Sequence, residues 1–328
     1  MKYIVIGNTA EWCEASWHEE IKTNKNLYFM NGTVPHLSNH FLEKLCNGHY
    51  SQKLNKRFNF PGKRIWYKAF SKSLGIDFDD KEECVLIIYD WSRLSRDFNF
   101  FAYLRKKCKK MKIVYLFTNI AAISGAKMYG MLDKLTGVFD KVFAFDPKDA
   151  ERYDFDYFPL IYTGVNPQEK ESCDTDLFYI GQAKDPARYQ MLIDIFEKAQ
   201  KEGLTCDFNI VGVPEEKQKY PELIHYNKRM SYSDVVKKIK RSRCLVDVIQ
   251  KESSGLTIKV CEAVVYDKKL ITSNEGLLRM SLYDSSRILM ANDLKSIHDF
   301  LSKPLKEYSV ENKYMFSPQL LYEKIEAI

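Results

Sequence analysis

Apolar positions in this chain fall into short runs, and segments with helical spacing separate most of these runs. In the first half the runs predict five strands, at Tyr3–Ile6, Leu27–Met30, Cys84–Tyr89, Ile113–Phe117 and Val142–Phe145. Strands that alternate with helices indicate a doubly wound parallel sheet, because parallel neighbours need a crossover connection.

A second alternating series begins at Asp176. It predicts strands at Leu177–Ile180, Phe208–Val211, Cys244–Ile249 and Lys269–Thr272, and helices at Pro186–Lys201, at Ser233–Arg241 and from about Leu256. The segment Thr163–Thr175 between the two series holds Gly, Asn, Pro and charges without periodicity, which is typical of a linker. We therefore expect an N-terminal domain at 1–165 and a C-terminal domain at 166–312. Helical spacing of apolar residues near the end predicts a helix within 313–328 that packs back across the domain boundary.

The strongest chemical signal lies between Cys244 and Asn274, where strand, Ser/Gly loop, helix and strand form one βαβ unit. A helix N-terminus beside Gly255 offers unpaired backbone N–H groups, and glycine lets a ligand approach closely. The loop therefore suits an anion such as a diphosphate. Lys259 and Glu262 are three residues apart and share one helix face. The cation can neutralise phosphate, and the carboxylate can accept hydrogen bonds from a ribose diol.

Composition indicates an ordinary globular protein, with 328 residues, 45% hydrophobic and 29% charged. The N-terminus enters a strand at once and no long apolar window follows, so we expect neither a secretory signal nor a membrane span. We expect a cytoplasmic protein with reduced cysteines. The net charge of +6 is concentrated in Arg105–Lys112 and Lys237–Arg243. These clusters are either solvated helix ends or contacts to the inner membrane surface, and no nucleic-acid motif accompanies them.

Metal ligands are not expected. His36, His40 and His49 lack a supporting Cys or carboxylate pattern. Three Asp-x-Asp triplets occur, at Asp77–Asp79, Asp154–Asp156 and Asp174–Asp176, but none follows an apolar strand, where a ligating acid projects into the crevice. We interpret these acids as solvated loop residues and expect a site that requires no metal and no cofactor.

Three segments carry a family resemblance: FAFDPKDAERYDF (143–155), DLFYIGQAKDPARYQML (176–192) and SGLTIKVCEAVVYDKKLITSN (254–274). The chain resembles the bacterial GT-B glycosyltransferases of surface-polysaccharide assembly, the enzymes of capsule, lipopolysaccharide and exopolysaccharide biosynthesis. The resemblance implies two Rossmann-like doubly wound α/β domains facing a cleft. It further implies transfer of a sugar from a nucleotide sugar, which we expect to be a UDP-sugar, to a glycan or lipid-linked acceptor. That acceptor places the protein in the cytoplasm and at the periphery of the inner membrane.

The resemblance also implies a donor site in the C-terminal domain. Its backbone donors, cations and ribose-binding carboxylate would come from Gly181, Arg188, Gly212, Arg229, Ser254, Gly255, Leu256, Thr257, Lys259 and Glu262. Retaining members of the fold carry two Glu with seven residues between them, but the corresponding residue before Glu262 is Ser254. Inversion and retention therefore both remain open.

The acceptor base is expected in the N-terminal domain. Asp90 directly follows the apolar strand Cys84–Tyr89 and so lies on the crevice side of the sheet. Glu11, Glu14 and His18, behind the first strand, are the alternatives, and each of the four can instead cap a turn or helix. Two other functions fit the same architecture: a nucleotide-sugar epimerase, and a non-enzymatic protein that binds a membrane or a glycan.

Overall fold

The computed structural model describes residues 1–8, 10–31, 37, 39–55, 60–76, 83–121, 124, 130–251 and 253–327, except for the side chains of 52 and 53. The chain divides into two compact units. Unit 1 comprises Met1–Pro159 and Leu321–Ile328, and unit 2 comprises Leu160–Leu320. Unit 2 begins ahead of the polar segment Thr163–Thr175 because the Tyr162 N–H donates to the Phe316 carbonyl of the same unit at 2.9 Å.

The sheet of unit 1 contains six parallel strands among the described residues. They are β1 (Lys2–Ile6), β2 (Leu27–Met30), β3 (Cys84–Tyr89), β4 (Met111–Leu116), β5 (Lys141–Ala144) and β6 (Asp156–Tyr157). Their order is β2-β1-β3-β4-β5-β6. The chain builds outward from β1 in one direction and from β3 in the other, so these two strands flank a topological switch point.

Helices of unit 1 are α1 (Glu11–Ser16), α2 (His18–Thr23), α3 (His40–His49), α4 (Gln52–Asn55), α5 (Tyr67–Ser73), α6 (Phe98–Lys107), α7 (Leu135–Val138) and α8 (Pro147–Tyr153). Strand β3 is buried along its whole length, as expected for a central parallel strand covered on both faces. The C-terminal helix Pro318–Glu326 enters this unit at Leu321. Its Tyr322 ring stacks on Tyr3 at 3.8 Å, and the Tyr3 hydroxyl donates to Glu326 at 2.7 Å.

The sheet of unit 2 likewise has six parallel strands in the described part of the chain. They are β7 (Thr175–Gln182), β8 (Cys206–Val211), β9 (His225–Tyr226), β10 (Ser242–Asp247), β11 (Lys269–Thr272) and β12 (Ile288–Met290), in the order β12-β11-β10-β7-β8-β9. This is the strand order of the dinucleotide-binding Rossmann sheet, with its switch point between β7 and β10.

Helices of unit 2 are α9 (Pro186–Lys201), α10 (Tyr232–Arg241), α11 (Ile258–Val265), α12 (Ile297–Ser302) and α13 (Val310–Tyr314), and α14 (Pro318–Glu326) begins here. Side chains at the N-cap fix several helix starts. Asp185 accepts from the Arg188 N–H and Ser231 from the Asp234 N–H, which satisfies donors that lack intrahelical partners. These two caps explain why α9 and α10 begin where they do.

The predicted α/β class with two Rossmann-like units is confirmed, and the main differences lie at element ends. The apolar run predicted as strand to Ile249 leaves the sheet after Asp247, because β11 offers partners only as far as Thr272. The helix expected from about Leu256 begins at Ile258, since Thr257 has extended backbone with φ −72° and ψ 165°. Strands β6, β9 and β12 are too short to give an apolar pattern. No helix in the described ranges is long and apolar enough to cross a membrane.

Candidate functional site

The carboxyl ends of β7 and β10 mark the candidate site in unit 2. From this switch point the chain turns one way into α9 and the other way into α11, the topology that leaves a crevice in open α/β sheets. Ligands of open α/β sheets bind in such a crevice. Both helices begin here, so backbone N–H groups without intrahelical partners accompany the strand ends.

The loop between β10 and α11 is fastened to the end of β11. The Thr272 hydroxyl donates to the Asp247 carboxylate at 3.1 Å, and the Ser273 N–H donates to the Asp247 carbonyl at 3.0 Å. The Asn274 side-chain amide donates to the Gly255 carbonyl at 3.1 Å. These bonds hold Gly255 and the buried Leu256 against the sheet and fix where α11 starts. The loop is thereby preorganised.

Lys259 and Glu262 meet on one face of α11, as their spacing predicts. The Lys259 ammonium lies 2.6 Å from Glu262 Oε2, both residues are buried, and Glu262 is fully so. The other carboxylate oxygen accepts from the Tyr232 hydroxyl at 2.7 Å. Burial raises the pKa of Tyr232 well above its usual range, so this tyrosine is a neutral hydrogen-bond donor. Its oxygen lies 2.9 Å from the Tyr162 hydroxyl.

Arg188 lies in the first turn of α9. Its Nε is buried and has no hydrogen-bond partner within the described part of the chain, which is costly for a cation unless a ligand satisfies it. Burial raises the pKa of Tyr179 to about 12, and the charge of Arg188 opposes this rise. A Cβ atom on Gly181 would lie 2.8 Å from the Tyr179 hydroxyl. Gly181 therefore gives Tyr179 room beside Arg188.

Asp247 is the acid at the centre of this site. Burial raises its pKa, while hydroxyl hydrogen bonds and the positive charges of Arg188 and Lys259 oppose the rise. The two cations thus act on the same carboxylate from α9 and α11. The site combines two cations, two buried carboxylates and the N–H groups of two helix starts, a set that can bind a diphosphate joined to a ribose.

The remaining donor-site residues lie as follows. Gly212 follows β8 with φ 87°, a backbone conformation that favours glycine, and its N–H donates to the Asn227 side chain at 2.7 Å. Arg229 is exposed in the loop before α10. Ser254 and Thr257 flank the buried Gly255 and are half-buried. Lys259 and Glu262 are in direct contact, Gly255 lies in the loop that leads into their helix, and the contacts of Gly212 and Arg229 within the described residues do not reach that pair.

Asp90 lies directly after β3, at the switch point of unit 1. Its Oδ1 accepts from the Thr118 hydroxyl at 2.8 Å and from the Thr118 N–H at 3.2 Å. Its Oδ2 is buried and has no hydrogen-bond partner among the residues that the structure describes. Burial raises the pKa of Asp90 to about 7, although the bonds from Thr118 hold it down. A carboxyl group that titrates near neutrality is suited to accept a proton.

The alternative bases lie on two short helices. Glu11 and Glu14 are exposed on α1, and the half-buried His18 opens α2, with its Nε2 3.8 Å from Glu19. Sequence reasoning missed Asp247 and Tyr232. Asp247 carries a signal, an acid inside the apolar run CLVDVI, whereas nothing in the sequence marks Tyr232.

The four Asp-x-Asp acids that the structure describes lie apart from these strand ends. Asp154 caps α8 in a left-handed conformation, and Asp156 pairs with Lys141 at 2.8 Å. Asp174 pairs with Arg241, and Asp176 pairs with Arg243 at 2.7 Å. Three of the residues considered above as metal ligands lie outside the described residues: His36, Asp77 and Asp79. The described part of the chain contains no group of three or more His, Cys, Asp or Glu side chains placed to hold a metal ion.

No protein-family model and no curated protein sequence matches the chain. Among solved structures it is similar to a mutant of TarM from S. aureus in complex with fondaparinux, α-GlcNAc-glycerol and UDP, with 12% identity and a TM-score of 0.45 over 74% of this chain and 55% of that one. It is also similar to a trehalose-6-phosphate protein from E. coli bound with UDP-2-fluoro glucose, with 12% identity and a TM-score of 0.47 over 92% of this chain and 85% of that one.

A third similar structure is the trehalose 6-phosphate synthase from Burkholderia multivorans, with 10% identity and a TM-score of 0.49 over 99% of this chain and 95% of that one. The chain spans about half of the TarM chain, 55% of it. Similarities of this size concern the fold alone, and the two-unit architecture stands on the strand orders given above.

Proposed function

We propose that this protein is a glycosyltransferase that binds a nucleotide sugar at the carboxyl end of the unit 2 sheet. The observation that carries the proposal is the convergence of Arg188, Lys259, Asp247 and Glu262 on the helix starts at the switch point. Phosphate and ribose need cations, backbone donors and a carboxylate acceptor, and all three are within this one arrangement.

The proposed mechanism begins with the diphosphate at the first turn of α11. The N–H groups of Ile258 and Lys259 have no intrahelical partner and face the anion, and the helix dipole adds to the field. Arg188 contributes its Nε, which no described residue accepts from. As the sugar is transferred to the acceptor oxygen, the bond between its anomeric carbon and the diphosphate oxygen breaks. Negative charge then develops on the leaving diphosphate, and these fixed donors stabilise it. We propose that no metal is required for this step.

Glu262 is the proposed ribose ligand. A carboxylate has about four acceptor positions, and Lys259 and Tyr232 occupy two of them. The remaining positions can accept the two ribose hydroxyls. Lys259 and Tyr232 then orient the carboxylate.

We propose Asp90 of unit 1 as the base that takes the proton from the acceptor hydroxyl. Its Oδ2, which has no hydrogen-bond partner among the described residues, and its pKa near neutrality support this role. The donor we propose is a UDP-sugar, and the acceptor is a glycan or lipid-linked oligosaccharide of bacterial polysaccharide assembly. We place the reaction in the cytoplasm at the inner membrane surface.

A panel of nucleoside diphosphates and nucleotide sugars, read by thermal unfolding in EDTA, tests the donor site. Ligand at about one hundred times its Kd stabilises the fold by about 2.7 kcal/mol, so the true donor raises Tm visibly. We expect UDP and one UDP-sugar to do so. Product analysis with that sugar alone distinguishes transfer from epimerisation, since an epimerase converts the donor without an acceptor. If no nucleotide in the panel raises Tm, the proposal fails.

A further inference from the structure

Unit 1 contains a cavity of about 280 Å³ beside the segment that follows β3. Arg93, Arg96 and Asp97 of that segment line it, so the cavity lies where the chain leaves the carboxyl end of a central strand. Lys63 and Lys134 contribute further cations from distant parts of the chain. An adjoining cavity of about 390 Å³ shares Lys63 and Asp97 and adds Arg64 and Lys106.

The charge around the first cavity is strongly one-sided. Four cations line it, and Asp97 is the only carboxylate among its described lining residues. Asp97 is already engaged: Oδ2 accepts from the Tyr50 hydroxyl at 2.6 Å, and Oδ1 accepts from the Tyr67 hydroxyl at 2.8 Å and from the Phe100 N–H at 3.2 Å. Asp97 therefore holds two tyrosines and the start of α6 in place, and a single carboxylate cannot balance four cations.

Two of the four cations are held in position before any ligand arrives. The Arg93 guanidinium donates to the Asn47 side chain at 2.6 Å, and the Lys63 ammonium lies 5.2 Å from the centre of the Tyr50 ring. Burial lowers the pKa of Lys63; Asp97 opposes this effect and the nearby charge of Arg96 adds to it. An anion in the cavity would relieve this crowding of like charges.

We propose that this cavity, the cationic pocket of unit 1, binds a phosphorylated ligand. Its volume is many times the roughly 30 Å³ that one water molecule occupies in the liquid, so it has room for a phosphate and part of the group that carries it. Arginine and lysine around one cavity match the charge and acceptor geometry of phosphate oxygens. If the proposed function holds, this ligand is the acceptor.

The phosphate can be carried by a soluble molecule or by a lipid. Exposed apolar side chains occur on the elements that flank the cationic pocket. Phe41, Leu42 and Leu45 lie on α3, which ends one residue before Tyr50, and Ile65 lies in the short 3-10 helix that begins at Lys63. Large exposed apolar residues near cations are typical of surfaces that meet lipid, so both sources are tested.

The test uses the full chain and the double variant Lys63→Gln/Lys134→Gln. Its matched control is Lys68→Gln/Lys72→Gln, which removes the same charge from exposed positions on α5 of the same unit. Calorimetry with glycerol phosphate, in saturating UDP to occupy any site in unit 2, should show binding that the pocket variant weakens about 10- to 100-fold and the control less than twofold. The single variant Lys134→Gln changes an exposed residue and should weaken binding in the same direction without affecting folding.

Vesicles identify the source of the phosphate. Phosphatidylcholine vesicles with and without phosphatidic acid are sedimented with the wild type and both double variants. Binding that needs phosphatidic acid and is lost in the pocket variant indicates a lipid-borne phosphate, and binding of glycerol phosphate alone indicates a soluble one. Equal loss in both double variants, or no binding of either probe to the wild type, would overturn the proposal. UDP affinity reports separately on unit 2, so failure of one site is distinguishable from failure of the other.

Discussion

Asp90 in unit 1 and Asp247 in unit 2 occupy corresponding places in two similar sheets. Each lies at the carboxyl end of a strand that borders the switch point, is buried, and accepts a hydrogen bond from a threonine at the end of the neighbouring strand. Their surroundings differ. The charges of Arg188 and Lys259 act on Asp247, whereas the groups that lower the pKa of Asp90 are hydrogen-bond donors only.

The two units share one structural feature, the Asp–Thr contact, but the surroundings of the acid suit different chemistry in each. The Asp–Thr contact ties adjacent strand ends together in both units. In unit 2 the cations favour the ionised acid and form a setting for a phosphate. In unit 1 burial raises the pKa of the acid to about 7, and one of its oxygens has no partner among the described residues. One strand-end acid therefore serves a binding site, and the other is suited to proton transfer.

Of the variants that test this comparison, Asp90→Asn should have the largest effect. It removes proton acceptance and changes little volume, so we expect the transfer rate at saturating donor to fall about 10²- to 10⁴-fold while UDP affinity stays the same. Asp247→Asn is the matched variant in unit 2 and should change that rate less than tenfold. Steady-state kinetics and calorimetry on both variants provide the measurement.

Near-wild-type transfer by Asp90→Asn would contradict the role of Asp90. The search for the base would then move to Glu11, Glu14 and His18, where the exposed acids of α1 are directly accessible to an acceptor.

The Lys259–Glu262 pair allows a second test, which concerns the site in unit 2. Lys259→Met or Glu262→Gln alone leaves a buried charge without its partner, which we expect to cost about 3–5 kcal/mol in the free energy of unfolding. The double variant should cost clearly less than the sum of the two. Urea unfolding of the four proteins measures the coupling. Additive costs would mean that the two side chains are not a pair in solution.

The pH dependence of stability gives a smaller effect. The pKa of Asp90 is about 7 in the folded protein, against an ordinary value of 3.8. Between these values the folded state binds a proton that the unfolded chain has released, so stability falls as pH rises through this window, by up to about 4 kcal/mol in total. Asp90→Asn has no such proton to lose and should gain stability relative to wild type from pH 5 to pH 8.

Because cations oppose the rise in the pKa of Asp247, Asp247→Asn should show a smaller gain over the same range. Parallel stability curves for wild type and Asp90→Asn would contradict a raised pKa at Asp90.

Much of the fold could be predicted because central parallel strands are apolar along their length. Cys84–Tyr89 and Lys269–Thr272 form strands with the predicted bounds, and Pro186–Lys201 forms the predicted helix. Edge strands could not be predicted. β9, for example, is only His225–Tyr226, and it depends on hydrogen bonds to β8 rather than on a pattern of its own.

The site was partly predictable for a similar reason. Helical spacing places Lys259 and Glu262 on one face, and the structure brings them into contact. Their burial depends on Tyr232, which comes from another helix, and no spacing within α11 reveals it. The cationic pocket was beyond prediction, because it joins Lys63, Arg96 and Lys134 from separate segments of the chain.

Calorimetric titration with UDP and with uridine, in EDTA, tests the central claim most directly. Arg188→Met removes a cation from the first turn of α9, and Lys201→Met removes one from the far end of the same helix as a control. We predict that UDP binds the wild type, that Arg188→Met weakens UDP about 10- to 100-fold but leaves uridine unchanged, and that Lys201→Met alters neither by more than about twofold. Absence of UDP binding to the wild type, or an equal loss of UDP and uridine affinity in Arg188→Met, would contradict a diphosphate site at the switch point of unit 2.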